Sequence, residues 1–228
     1  MKARQIHEWH VTTAEAREIQ EHLRHEVVRM NDGSTPRFVA GADISIRQDG
    51  TAVAAAVVFF YPQMQLAETS VVEGMPEFPY VPGLLTFREA PLILAAFEKI
   101  KNTPQLILVD GQGIAHPRRF GIASHLGLLL DTSTIGCAKS RLCGQHEEPS
   151  LEAPGWTELT DDDEVIGAVV RTRTSTRPLY ISIGHKIDLQ TAIDRVLECC
   201  RGYRLPEPTR LAHLAAGGRL SGAVSAPG

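Results

Sequence analysis

The sequence predicts an α/β protein built on a mixed sheet flanked by helices, and three observations lead to it. Between residues 37 and 74, three β-rich runs follow one another with only short connections, the pattern of antiparallel hairpins. From Thr86 onward, apolar helical segments alternate with strand-like runs, which implies a sheet covered by helices. A chain of 228 residues, 43% hydrophobic, is long enough to bury the core that such a sheet needs.

Residues 13–30 read as an opening helix, with Ile19, Leu23, Val27 and Val28 near helical spacing. The three strands are expected at RFVAGADISIR (37–47), TAVAAAVVFFY (51–61) and QLAETSVVEG (65–74), separated by Gln48-Asp49-Gly50 and Tyr61-Pro62-Gln63. A proline-rich stretch, MPEFPYVPG (75–83), then interrupts regular structure. A helix over 87–100 precedes a strand at QLILVD (105–110). A glycine-rich loop, a helix near FGIASHLGLLLD (120–131) and a strand at TSTIGCA (132–138) come next. Further strands are expected at 165–173 and 178–184, with a last helix over 188–203 and then a tail carrying PEPTRLAH. Residues 1–216 form one domain on this reading, and the Gly/Ser/Pro-rich residues 217–228 are disordered. The order of elements matches the ribonuclease H-like fold.

Composition limits the function classes. No run of roughly 18 apolar residues exists to span a membrane. Met1 to His10 is polar and lacks the apolar core of a secretory signal. Four cysteines without a CxxC spacing suit reduced thiols in a cytoplasm better than a disulfide framework or a zinc site. A cytoplasmic location is therefore expected, and the chain is expected to be a monomer. The net charge of −4 at first argues against a nucleic-acid partner. Yet residues 145–164 hold eight carboxylates and no Lys or Arg, so the rest of the chain carries −4 − (−8) = +4. The acidic segment reads as a solvated surface loop. Arg118, Arg119, Lys139, Arg141, Arg171, Arg173, Arg177 and Lys186 are candidate phosphate contacts. Charge alone is permissive and decides nothing.

Asp43 sits in mid-strand between Ala42 and Ile44, where an uncompensated carboxylate costs several kcal/mol to desolvate. A bound cation, an Arg partner or an exposed strand face would each account for it. Asp110 ends the apolar run Leu106–Val109 and is followed by Gly111-Gln112-Gly113. Ligands of α/β sheets gather at the carboxyl ends of strands, though strand-Asp-Gly is also an everyday turn. Glu89 is ambiguous: Thr86 and Glu89 fit a capping box, and a Glu near a helix end can equally reach a metal. With Lys139 and His116, carboxylates from two strands and a helix suit Mg²⁺, a hard cation that prefers oxygen ligands. No GxSxG nucleophile motif and no P-loop occur, and the glycines after Asp110 lack the third member of a dinucleotide site.

Five blocks of sequence resemble the endonuclease V family, in family order and over nearly all of residues 10–215. They are VAGADISI (39–46), PYVPGLLTFREAP (79–91), LVDGQGIAHPRRFGIASHLG (108–127), TIGCAKSRLCG (134–144) and YISIGHKIDLQTAI (180–193). The resemblance implies that Asp43, Glu89 and Asp110 are metal-binding and catalytic, with His213 near the same metal. It makes Lys139 the contact to the phosphate being cut. Pro79, Tyr80, Val81 and Pro82 match the wedge that enters the duplex beside the lesion, Val81 standing where Ile is frequent. Gly83, Leu85, Gly111, Gly113, His116 and Leu142 match the pocket for an everted hypoxanthine base, and everting a damaged base costs least. Without the family, Pro79–Gly83 reads as a rigid turn packing an aromatic.

The activity so implied is that of a Mg²⁺-dependent deoxyribonuclease of DNA repair, with Mn²⁺ substituting. It nicks the strand at the second phosphodiester 3′ to deoxyinosine, leaving 3′-hydroxyl and 5′-phosphate ends. A ribonuclease acting on inosine-containing RNA, a non-catalytic lesion-binding module and a phosphatase of small phosphates are the rival readings. The first differs by the 2′-hydroxyl. The second would have no use for converging carboxylates, and the third none for the Pro-Tyr-Val-Pro segment.

Overall fold

A computed structural model describes residues 1–220. The strands are β1 (Phe38–Ile46), β2 (Ala52–Phe60), β3 (Gln65–Gly74), β4 (Leu106–Val109), β5 (Ser133–Ala138), β6 (Gly155–Asp161), β7 (Glu164–Arg171) and β8 (Leu179–His185). The helices are α1 (Thr13–Leu23), α2 (Leu85–Glu98), α3 (Ile122–Leu130), α4 (Leu189–Glu198) and α5 (Glu207–Ala216). All eight strands join one sheet in the order β3-β2-β1-β4-β5-β8-β7-β6. β1, β4 and β5 run parallel, while the remaining neighbours pair antiparallel. This is the mixed sheet flanked by helices that the sequence predicts.

The central strands read as nearly continuous apolar runs because both faces are covered. Alternate residues serve opposite layers. Val39, Leu106, Leu108, Ile135 and Ile181 pack with Ile193, Val196 and Ala212 of α4 and α5. Ala40, Ala42, Ile107 and Val109 pack with Ile93 and Phe97 of α2 and with Leu126 of α3. Asp43 shares its face with Val39 and Gly41, and that is the α5 face.

Three expectations are corrected. The opening helix stops at Leu23, passes through a 3₁₀ turn at Arg24–Glu26, and gives way to extended backbone at Val27. Val27 packs on the core and the Val28 amide donates to His185 Nδ1, so tertiary contacts override local periodicity. The PEPTRLAH tail is helix α5, with Pro206 as its N-cap and Pro208 in its first turn, where a missing N–H costs nothing. The acidic segment is not simply a loop: 155–161 form the edge strand β6, which buries Leu159 and leaves the rest of its acidic face to solvent. Of the expected disordered tail, residues 217–220 continue from α5, with the Arg219 amide bonded to the Leu214 carbonyl, and 221–228 lie outside the described residues. Cys199 is a core thiol and Cys200 is half-buried. No helix among the described residues is long and apolar enough to cross a membrane.

Candidate active site

The site forms where parallel strands β1 and β4 end side by side. Ala42 is in register with Val109, and the Asp110 amide donates to the Ala42 carbonyl. Asp43 and Asp110 are therefore lateral neighbours on strands about 4.8 Å apart. Both side chains are largely buried, 11% and 14% exposed. His213, delivered by α5 onto the same face, puts Nδ1 2.7 Å from Asp43 Oδ2. One ligand atom each from Asp43, Asp110 and His213 falls within 4.8 Å of the others. Lys139, just beyond the end of β5, pairs its Nζ with Asp110 Oδ2.

Glu89 stands outside that group of three but within its electric field. Burial, followed by the charges of Asp43 and Asp110, pushes its carboxyl up to about 8. Asp43 is also raised, first by burial and then by Asp110. Glu89 is not a capping residue: α2 begins at Leu85 with Leu84 as N-cap, no side chain caps it, and Thr86 is buried. Three carboxylates that repel one another in a largely buried place form a donor set suited to a small divalent cation. The histidine is a less direct match. Arg219 can only donate to His213 Nε2, so the ring proton sits on Nδ1 and is given to Asp43. In this arrangement His213 orients Asp43.

The expected wedge stands in the open. Tyr80 is 70% exposed, Pro79 and Pro82 are exposed, and Val81 anchors the segment on Phe78, Leu84 and Phe87. Gly83 has φ +79°, a backbone conformation that favours glycine. Its carbonyl accepts from Gln20 Nε2, His116 Nε2 and Arg118 Nη2 at 3.1, 3.1 and 2.7 Å. His116 Nδ1 accepts the Arg118 amide, which fixes the Nε2–H tautomer, and burial holds the ring neutral with its pKa lowered to about 4. His116 thus clamps the segment after the wedge. Leu85 and Gly111 are half-buried, and Leu142 is 47% exposed at the surface. Gly113 is not at an opening: its amide donates to Ser182 Oγ, and a Cβ there would lie 1.9 Å from the Ile183 carbonyl oxygen.

Gln20 and Arg204 carry no sequence signal, yet both brace the site. Arg204 Nη2 holds the Lys139 carbonyl at 3.0 Å. Among the candidate phosphate contacts, Arg119 is committed to Asp161 and Glu164, Lys186 to Asp131, and Arg118 to Gln20 and Gly83. Arg171 is buried and bonded to backbone carbonyls. These four are structural rather than open to a ligand.

The comparisons with known proteins agree with one another. The family model described as Endonuclease V matches residues 21–214. The endonuclease V of Trichormus variabilis is 52% identical over 221 residues, covering 96% of this chain and 100% of that protein. The crystal structure of endonuclease V from Streptomyces avermitilis superposes with a TM-score of 0.87 at 38% identity, covering 95% of this chain and 96% of the other. A Ciona intestinalis endonuclease V, solved with DNA containing an inosine followed by a ribo-adenosine, gives 0.79 at 30% identity, covering 92% and 98%. The match runs through the strands and helices that carry the acidic site, and the chain belongs to the endonuclease V family.

Proposed function

We propose that this endonuclease is a Mg²⁺-dependent repair enzyme of the cytoplasm that nicks DNA at the second phosphodiester 3′ to deoxyinosine. The observation that carries the reading is the convergence of Asp43, Asp110 and His213 beside Lys139, with Glu89 near enough that burial and the two aspartates push its carboxyl up to about 8. The Ciona relative's inosine-containing DNA supports the substrate.

Asp43, Asp110 and Glu89 would hold the metal, and His213 would keep Asp43 turned toward it. When bound, Mg²⁺ supplies positive charge that eases ionisation of water and offsets charge on the phosphate as it is attacked. Lys139 has a 37% exposed side chain and can give part of its charge to a phosphate oxygen while remaining beside Asp110. Tyr80, stiffened by Pro79 and Pro82, enters the stack where the damaged base leaves it. Gly83, Leu85, Gly111 and Leu142 line the path of the everted base, with His116 and Gly113 supporting them from behind through the bonds described above. Mn²⁺, another cation suited to oxygen ligands, substitutes.

The test is an end-labelled duplex carrying one deoxyinosine, incubated with Mg²⁺ and with EDTA. One Mg²⁺-dependent nick just 3′ to the lesion, absent from the unmodified control, supports the reading. Asp110→Asn should bind the lesion without cutting it, and undiminished cutting would remove Asp110 from the mechanism. A second reading, action on inosine-containing RNA, draws on the ribo-adenosine in the Ciona complex. Matched DNA and RNA strands decide between them by the preferred substrate.

A further inference from the structure

Once Arg118, Arg119, Arg171 and Lys186 are set aside, Lys139, paired with Asp110 in the site, and Arg141, Arg173 and Arg177 remain, and three of these four line one cleft. The cleft has a volume of about 510 Å³ and opens beside the acidic site, bounded by Lys139, Arg141, Arg177, Tyr180 and Glu148. Its position follows from the sheet. Ala138, at the end of β5, is in register with Tyr180 at the start of β8, and Leu179 is in register with Val170 near the end of β7. Asp43, Asp110, Lys139 and Tyr180 thus sit at the same edge of four successive strands, β1, β4, β5 and β8, with neighbouring strands about 4.8 Å apart. Tyr180, level with Ala138 and Val169, approaches the cleft from the opposite face of the sheet.

The walls are built. Arg171, 4% exposed, donates to the carbonyls of Ser150, Pro149 and Thr176, tying the 148–151 segment to the β7–β8 turn. Arg204 donates to the carbonyls of Arg177, Pro178 and Lys139, fixing the other side. Two arginines thus spend their donors on shaping the cleft. Arg141 and Arg177 on its rim are exposed and form no ion pair among the described residues. Glu148 is the acidic exception, 73% exposed and 3.7 Å from Arg171.

We propose that this cleft is a subsite for the strand running away from the cut bond on the side opposite the wedge. Arg141 and Arg177 hold phosphates there, and a base lies against the Tyr180 ring. An exposed guanidinium matches phosphate geometry, and an aromatic face accepts any base, so the subsite recognises backbone and length rather than sequence. The inference rests on the nuclease reading above.

The experiment compares two deoxyinosine substrates that share the lesion and the cut bond. The short one ends one nucleotide past the cut on the side away from the wedge, and the long one extends six nucleotides further. Wild-type chain is expected to prefer the long substrate by about tenfold in kcat/KM, the size of a pair of phosphate contacts and a stacked base. In R141A/R177A the ratio should fall to about two or less, and the salt slope of binding to the long strand should drop by about two. Tyr180→Phe should keep the preference and Tyr180→Leu reduce it. If R141A/R177A retains the full wild-type ratio, the subsite is overturned while the nuclease reading stays intact. Wild-type chain that cuts neither substrate overturns the nuclease reading, and this inference with it.

Discussion

Glu89 is placed where its charge is least welcome, and that makes it testable in the absence of substrate. In the metal-free fold its carboxyl is pushed up to about 8 against an ordinary 4.5, by burial first and then by Asp43 and Asp110. Between those values the folded chain holds a proton that the unfolded chain has released. The stabilisation is therefore fully present below the unfolded value and is lost as pH rises through about 8. Glu89→Gln removes the titration. In EDTA at pH 8.5 the variant should melt a few degrees above wild type, at about 2–4 °C per kcal/mol for a chain of this size. At pH 5 the two should nearly coincide, and cleavage with Mg²⁺ should fall by about 10²-fold or more. Equal melting at both pH values would remove the repulsion argument. At this scale the sequence was legible in uneven measure. Asp43 stood out because a carboxylate interrupts an apolar strand. Glu89 did not, since Thr86 three residues before it imitates a capping box that the helix, starting at Leu85, never forms. His213 was visible only through family resemblance, because its contact with Asp43 spans 170 residues of chain.

Among the elements, α5 has the most influence on the site for its length, and Gly41 is where it touches the sheet. A Cβ at Gly41 would lie 2.0 Å from the Pro208 carbonyl oxygen, so backbone would have to move rather than a flexible side chain. Gly41→Ala should cost about 1–3 kcal/mol, as overpacking does. It should also reduce cleavage, because Asp43 lies two residues further along the same face and His213 one and a half turns along α5. If the loss acts through that contact, it is not additive with His213→Ala. Fully additive losses in a double-mutant cycle would mean that α5 only supports the sheet. Helix α5 and strand β6 were the elements that the sequence concealed. Two prolines near the start of α5 read as a tail, though both sit where a helix tolerates them. In β6 only Leu159 is fully buried, too sparse a pattern to announce a strand among eight carboxylates. The central strands were legible because burial on both faces leaves little but apolar residues.

Across the whole molecule, closing α2 and α3 on one face and α4 and α5 on the other encloses four histidines in the neutral form. Burial lowers His116 and His185 to about 4, lowers His7, and drives His125 well below its usual value. His7 and His125 face each other at 2.6 Å, and His7 Nδ1 donates to the Glu8 carbonyl, so its Nε2 accepts the His125 proton. A proton added to His7 Nε2 would set two donors against each other, and one added to His125 Nδ1 would place a charge on a fully buried ring. In the unfolded chain these rings titrate near 6.5. Below that value the unfolded state takes up protons that the folded state refuses. The stabilisation is fully present above about 6.5 and is lost as pH falls toward 4. At pH 5, His116 and His185 account for about 2 kcal/mol each at most. This opposes Glu89 in sign and outweighs it in number of groups. In the Glu89→Gln background, where the opposing titration is gone, the melting temperature should fall by on the order of 5–10 °C between pH 7 and pH 5. His185→Gln should flatten that slope even where it lowers stability at pH 7, because a residue that does not titrate removes the proton linkage whatever else it disturbs. A melting temperature independent of pH across the window would mean that the buried rings accept protons without opening the sheet.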